Sequence, residues 1–398
     1  MFPSTVPSWT VVLGELWGTG VWVLLAALLV SLLATPVMRW LALRRGIVDR
    51  PDHAVKIHPE PIPRLGGCAI WLGWTIAMVV HLASGRAGHP RAELALILGG
   101  TVAFLTGLVD DLRDLPPRWK LLGQAAAGGV LLAGGIVWRA FPGLLTSLGF
   151  HEDSWFVWAV CIGMHFFVVL GGTNAANLLD GLDGLCSGVT AIISIGFLLL
   201  ATSLAAHHVY GRGLDYQYPR LIILVAFALV GAAIGFLPYN LNPARIFMGD
   251  AGSVFIGYVL AAMMIMFASK FGMVKWFVGA LFIFGIPILD TAMALVRRIA
   301  NRRPLMMPDR SHLYNQLMDR LGLTIPQSVG VFYGLSVLSA AAGLLVLCLR
   351  GRHAAVLYVL LAAAFLAAVW RLGFLRMTPD EKAAADRYLA RKRGAAPL

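Results

Sequence analysis

The chain has 398 residues, of which 59% are hydrophobic and only 13% charged, and its formal net charge is +12 at pH 7. A soluble domain carries roughly 25% charged residues, so the deficit excludes an ordinary globular protein and points to one embedded in a bilayer. The apolar runs are long and unbroken, which excludes an alternating β-barrel pattern; without water to satisfy the backbone, such runs must be helices.

The first apolar run, near Val21 to Ala34, leads into "TPVMRWLALRR" without a small-residue cleavage pattern, and reads as a retained helix rather than a signal peptide. Stretches near twenty residues, about what a bilayer core requires of a helix, then recur along the chain. They predict eleven spans, near 18–38, 66–83, 94–109, 121–138, 155–172, 185–205, 220–237, 251–269, 276–295, 328–349 and 354–370. The expected fold is therefore all-α and polytopic, with ten or eleven transmembrane helices. One membrane domain covers 1–375, and a basic tail covers 376–398.

Charge tests this threading. The loops after odd-numbered spans, together with the tail, hold 23 of the 32 Lys and Arg residues. Cytoplasmic loops carry such an excess, so the N-terminus is expected outside and the tail in the cytoplasm. Topogenic charge and contact with anionic lipid headgroups explain the net +12, and no nucleic-acid partner is needed. The four cysteines (Cys68, Cys161, Cys186 and Cys348) are scattered without a CxxC pair, as expected of small apolar residues rather than a disulfide or zinc framework.

The carboxylate-rich stretches "GLVDDLRDLPP", "NAANLLDGLDGL" and "RIFMGDAGS" all fall on the expected cytoplasmic side. In the first, Asp110 and Asp114 lie one helical turn apart with Asp111 beside them, if the helix continues. Three carboxylates in so small a volume at a membrane edge need a cation or a proton to offset their repulsion. A solvated helix end, with Arg113 and Arg118 as casual partners, is the plainer alternative.

In the second stretch Asn174, Asn177, Asp180 and Asp183 repeat at a spacing of three. Each step of three drifts about 60° around an ideal helix, so the first and last residues would face opposite sides. The four side chains converge only where the helix is broken or tightened, and Gly181 and Gly184 permit that. An ordinary turn would explain the Asn, Asp and Gly but not the apolar residues interleaved among them. In the third stretch, Gly249 and Gly252 flank a helix start around Asp250, where backbone N–H groups can meet an anion. Taken singly, Ser253 as a helix cap and Phe247 as a packing residue are the simpler readings; with Arg245 they form a phosphate and ring pocket. Asp290 reads as structural, a partner for Arg297 or Arg298. Lys56, Arg64, Lys120, Arg245, Arg310 and His312 supply positive charge on the same face. Carboxylates and cations at one membrane surface suit a magnesium ion bridging phosphate oxygens, with a lipid phosphate as one reactant.

Five ordered blocks, "VDRPDHAVKIHPEPIPRLGG", "GLVDDLRDLPPRWKLLGQ", "NAANLLDGLDGL", "PYNLNPARIFMGDAGS" and "PDRSHLYNQLMDRLGLT", resemble the polyprenyl-phosphate N-acetylhexosamine-1-phosphate transferases over about residues 45 to 335. These integral membrane enzymes start bacterial cell-envelope glycans such as O-antigen or teichoic acid. The resemblance implies transfer of a sugar-1-phosphate, here GlcNAc-1-phosphate, from a UDP-sugar to undecaprenyl or another polyprenyl phosphate, with release of UMP. It implies Mg²⁺ as cofactor, with Mn²⁺ as a substitute. Asp110 and Asp111 become the acidic catalytic pair; Asp250, Asp111 and Asn177 become metal ligands. Phe247 is placed at the uracil, and Asn174, Asn177, Asp180, Asp183 and Asn240 along the nucleotide and metal site. Lys56, Lys120, Arg310 and His312 are placed on phosphates. The implied partners are the polyprenyl phosphate lipid, the UDP-sugar and the inner (cytoplasmic) membrane, with a homodimer as one option.

"DRSHLYNQL" followed by "LGLT" resembles the branch using simple UDP-N-acetylhexosamines. That branch commonly shows His-x-His-His, whereas this chain has His312, Leu313, Tyr314 and Asn315. Tyr and Asn can hydrogen-bond a phosphate or hydroxyl but cannot carry an imidazolium charge, which leaves the sugar preference open. The phospho-MurNAc-pentapeptide branch is the nearest alternative. A magnesium or phosphate-compound transporter is the alternative of another class; it would place its carboxylates mid-span, often in repeated halves.

Overall fold

The structure, a computed structural model, describes residues 9–50, 60–139, 145, 149–151, 153–210, 217–269, 274–302, 312–349, 351–375 and 382. Among these the chain is almost wholly helical. In order it forms α1 (Trp9–Arg45), α2 (Gly66–Ala83), α3 (Pro90–Arg113), α4 (Pro117–Ala133), α5 (Trp155–Leu179), α6 (Leu185–Tyr210) and α7 (Gln217–Asn240). There follow α8 (Gly249–Phe267), α9 (Val274–Ile283), α10 (Gly285–Ala300), α11 (Leu313–Leu321), α12 (Ile325–Leu344) and α13 (Gly351–Arg371). Two short strands, β1 (Val48–Asp49) and β2 (Ile62–Pro63), pair antiparallel with Val48 opposite Pro63.

Among the described residues, eight helices are long and apolar enough to cross a membrane. Helices α9 and α10 are bent by 72° at their break and make a ninth span if taken together. Each of the eleven expected segments falls on helix for most of its length, though 121–138 is helical only to Ala133, and two of the helices are too short or too little apolar to join the eight. Helix α4 has 17 residues, about 26 Å at 1.5 Å per residue; the apolar part of α13 is confined to Val356–Arg371. The protein is thus an all-α, multi-pass membrane protein. Large apolar side chains such as Trp22, Leu33, Phe167 and Leu338 stand exposed on its outside, as lipid-facing residues must.

Helix α8 is the centre, packed against α2 to α7 and α9. Every residue from Ala251 to Phe267 is buried, and none of them is charged. A helix that is apolar on all sides needs neighbours on all sides. Its crossings with α2 and α3 run through glycine. A Cβ on Gly67 would fall on the backbone of Gly252, and one on Gly107 would fall on the backbone of Asp250 and Ala251. In lipid, close backbone approach through small residues is a main source of helix–helix attraction. Here it also draws the C-terminal end of α3 onto the N-terminal end of α8, and that junction is where the polar residues collect.

Candidate active site

The site is built around the start of α8. Gly249 has φ +72°, a left-handed conformation that costs glycine nothing. A side chain there would also meet the Asp111 carboxylate oxygens at 2.6 and 2.9 Å. That space is filled by Asp111 itself, delivered one turn beyond Gly107 on α3. The backbone N–H of Asp250 donates to Asp111 Oδ1 at 3.0 Å, and that of Ala251 to Oδ2 at 2.9 Å. A helix N-terminus favours negative charge because its first N–H groups lack intrahelical partners. The anion expected at this helix start is therefore a carboxylate of the protein, not a phosphate.

Arg64 completes this corner. Its Nη2 donates to the Asp111 backbone carbonyl, and its Nε lies 3.9 Å from Asp111 Oδ1. The short ladder explains why the arginine reaches. Arg64 follows β2, and residues on either side of it are tied to the strand before α8: Phe247 N to Pro63 O at 2.7 Å, and Gly66 N to Phe247 O at 2.9 Å.

Asp110, the neighbour of Asp111, faces another way. Its Oδ1 accepts from the backbone N–H of Leu115 at 2.7 Å. Its Oδ2 lies 2.5 Å from Lys120 Nζ, which sits equally 2.5 Å from Asp250 Oδ2. Lys120, in the first turn of α4, thus bridges the last turn of α3 and the first turn of α8. Asp250 Oδ1 accepts from Asn177 Nδ2 at 2.8 Å, and the same amide reaches Ser253 Oγ at 2.9 Å. Asp110 and Asp111 are both buried. Asp114 does not join them. It caps α3 in the left-handed conformation, with its side chain 97% exposed and its nearest cation, Arg64 Nη2, at 3.9 Å. The helix does not continue, so the expected trio is a pair.

The spacing-of-three stretch is interrupted as expected. Helix α5 ends at Leu179, Asp180 caps it, and α6 begins at Leu185. Gly184 takes φ +77°. Gly181 does not; a Cβ there would collide with the Tyr314 ring, so its smallness serves a close approach instead. The four polar side chains are shared among different partners rather than gathered at one point. Asn174 donates to Gln124 Oε1 on α4 at 2.8 Å, while Asn177 turns to α8. Asp183 Oδ2 accepts from Asn242 Nδ2 at 2.8 Å and from Ala244 N at 3.0 Å. Asn240 is buried and accepts from Gly184 N and Ser187 Oγ while donating to Ile246 O. Asp183 and Asn240 therefore clamp the 180–184 turn to the 241–248 loop.

Asp180 is different. It is half-buried, and among the described residues no donor hydrogen-bonds its carboxylate. Burial first, then the charges of Asp250, Asp111 and Asp183, push its pKa up to about 8. Among the described residues carboxylates outnumber cations here, since Asp110, Asp111, Asp180 and Asp250 face Lys120 and Arg64. That excess is what a hard divalent cation would relieve. No three His, Cys, Asp or Glu side chains among the described residues form a ready-made cage. Mg²⁺ does not require one: it is usually held by one or two carboxylates plus substrate phosphates, keeping several waters. The oxygen-only donor set fits it.

Phe247 is half-buried beside this junction and Arg245 is exposed. His312 is buried and bonded to Asp290, so Asp290 has a partner other than the expected arginines. Lys56 and Arg310 lie outside the described residues. Of the residues the structure places in the site, sequence reasoning left out Gln124; it had Arg64 only as one of several basic residues on this face, and Ser253 only as a cap or as part of a phosphate and ring pocket. The sequence does carry a signal for two of these three. Gln124 follows Lys120 by four and Ser253 follows Gly249 by four, one turn each. Nothing local marks Arg64 above the other basic residues.

The chain was compared with known proteins. The model of the glycosyl transferase family 4 ("Glycosyl transferase family 4") matches residues 94–268, a stretch carrying Asp110, Asp111, Asn177, Asp180 and Asp250. The chain is 33% identical over 309 residues to a probable undecaprenyl-phosphate N-acetylglucosaminyl 1-phosphate transferase of Bacillus subtilis, covering 78% of this chain and 80% of the relative. It is 32% identical to the decaprenyl-phosphate N-acetylglucosaminephosphotransferase of Mycobacterium tuberculosis, covering 74% of each chain. It is 29% identical to the undecaprenyl-phosphate alpha-N-acetylglucosaminyl 1-phosphate transferase of Escherichia coli K12, covering 77% of this chain and 78% of that one. With a helical membrane body, an acidic site at one end of it, and relatives that share it over most of their length, this chain belongs to glycosyl transferase family 4.

Proposed function

We propose that the protein transfers N-acetylglucosamine 1-phosphate from UDP-GlcNAc to a polyprenyl phosphate, releasing UMP and leaving a lipid diphosphate sugar. The observation that carries this reading is the excess of carboxylates at the α3–α5–α8 junction, where Asp180 has no donor. Four such groups at the end of membrane-spanning helices suit a reaction between two phosphates, one of them on a lipid. The relatives' names supply the substrate class. The positive-inside bias supports an orientation with this end of the helices toward the cytoplasm, and with it a site in the cytoplasmic membrane.

In this reading an oxygen of the lipid phosphate attacks the β-phosphorus of UDP-GlcNAc in line, and the bond from that phosphorus to the bridging oxygen breaks. Mg²⁺, held by Asp250 with Asp111, Asn177 and the unpartnered Asp180, would neutralise diphosphate charge when bound. The chain's own residues set the geometry. Asp111 is fixed by two backbone donors and fastens α3 to α8. Lys120 offsets the repulsion between Asp110 and Asp250, and its ammonium would also meet a phosphate bound beside them. A phosphomonoester's second pKa is about 6, so the nucleophile is largely ionised at neutral pH. Asp110, whose oxygens are already engaged by Leu115 N and Lys120 Nζ, then acts chiefly through position and charge.

Purified protein incubated with polyprenyl phosphate, Mg²⁺ and a panel of UDP-sugars tests this. UMP release and lipid product with UDP-GlcNAc are expected. Turnover only with UDP-MurNAc-pentapeptide would move the protein to the neighbouring branch, and no UMP release with any donor would overturn the reading.

A further inference from the structure

Asp290 stands apart from the carboxylate cluster, on α10 beyond the 72° bend. It is 1% exposed and spends both oxygens on one short segment. Oδ2 lies 2.8 Å from Nδ1 of His312, and Oδ1 accepts the backbone N–H of Leu313 at 2.6 Å. An ionised carboxylate can only accept, so His312 carries its proton on Nδ1 and presents Nε2 as the remaining ring nitrogen. That nitrogen has no hydrogen-bond partner among the described residues.

The ring is held from its other side as well. The Tyr314 ring lies parallel to it, 7° between planes and 5.5 Å between centroids. Tyr314 in turn packs edge-on to Phe332 at 6.3 Å and covers Gly181, the residue after Asp180. A chain of contacts therefore runs from the bent helix α10 through His312 and Tyr314 to the turn that carries the unpartnered carboxylate. A histidine that only packed would not need its orientation fixed by a buried carboxylate, a backbone anchor and a parallel ring together.

We infer that Asp290 is a positioning residue: it fixes the ring and tautomer of His312 so that Nε2 faces the diphosphate of the sugar nucleotide at the edge of the 180–184 turn. The inference rests on the transferase reading above and extends it. Partners that orient a functional histidine through its second nitrogen typically change affinity or activity by about 10–100-fold when removed. Tyr314, where the branch more commonly has histidine, serves here as the stacking partner.

The test compares wild type, Asp290→Asn, His312→Ala and the double variant, with UDP and UMP binding by calorimetry and steady-state UMP release. Asp290→Asn is expected to weaken UDP about 10–100-fold, leave UMP within about twofold, and raise KM for UDP-GlcNAc more than it lowers kcat. In the His312→Ala background it should cost nothing more. An unchanged preference for UDP over UMP, or a loss that adds in full to that of His312→Ala, overturns the inference. If Asp290→Asn does not yield a monodisperse protein, Asp290→Glu keeps the charge but moves the acceptor, and the same loss of UDP preference is expected; unchanged preference there overturns it equally. Wild type that releases no UMP would break the transferase reading and this inference with it, whereas an active wild type with an unaffected Asp290→Asn breaks this inference alone.

Discussion

Helices α2 and α3 carry a buried polar cluster at each end, and the two differ in charge balance. At one end His81 on α2 and Glu93 on α3 form a single pair, 2.8 Å apart, with 5% and 1% exposure. At the other end Asp110 and Asp111 meet Asp250 and Asp180, with Lys120 and Arg64 the cations that offset them among the described residues. One acid with one imidazole is a closed arrangement that ties two helices together. Four acids with two bases leave charge unmet, and unmet charge at a membrane edge is what a phosphate-handling site needs. The contrast is between a buried pair whose two members meet each other and a buried cluster in which one acid is left without a donor among the described residues.

The largest effect should come from breaking the unbalanced end. Asp111→Asn, or Asp250→Asn, should cut UMP release by about 10²–10⁴-fold, the range typical of losing a group that acts at a reaction centre. Membrane insertion should persist, checked by yield and size-exclusion profile beside turnover. Near-normal turnover in either variant would mean the imbalance is structural after all. Lys120→Met should remove the bridge between Asp110 and Asp250 and lower kcat/KM about 10–100-fold, the cost typical of a group that orients others.

Gly107→Val probes the same end through packing. A side chain there meets the backbone of Asp250 and Ala251, so α3 must move off α8 and carry Asp111 away from its two donors. Overpacking typically costs about 1–3 kcal/mol, read as a lower thermal midpoint in detergent, and activity should fall by more than stability does. Asp180 gives a finer test. Its folded pKa of about 8 exceeds the ordinary carboxylate value, so the folded state keeps a proton that the unfolded chain releases. The stability of metal-free protein should then fall as pH rises from about 4 to about 8 and level off above. Thermal midpoints across that range should flatten in Asp180→Asn.

The smallest catalytic effect belongs to the balanced end. Glu93→Leu leaves His81 Nδ1 without its buried partner, a loss of about 1–3 kcal/mol in stability, while turnover of the intact protein should stay within about twofold. A large loss of turnover with stability preserved would dissolve the distinction between the two ends.

Much of this was legible along the chain. Apolar runs marked the membrane-spanning helices but not the short polar α11, because a segment surrounded by lipid must satisfy its backbone internally and shows that need residue by residue. Gly184 announced a break that the structure makes. Other features were not local. Asp110 and Asp111 are neighbours in sequence and read as one pair, yet one is bound to a lysine of α4 and the other to the first N–H groups of α8. Asp290 read as a partner for Arg297 or Arg298, about two turns along its own helix, but a bend of 72° and the return of the chain at His312 supplied a different one.

The amino-acid order by itself determined that the protein is helical and crosses the membrane many times, that its three carboxylate-rich stretches collect at one end of the helices, and to which family it is similar. Those properties depend on composition, periodicity and short motifs, all carried by consecutive residues. Which acid is satisfied and which is left short of donors was decided only by tertiary structure. It depends on glycine crossings that bring α3 and α5 against α8, and so on distances between residues about seventy to one hundred and forty positions apart.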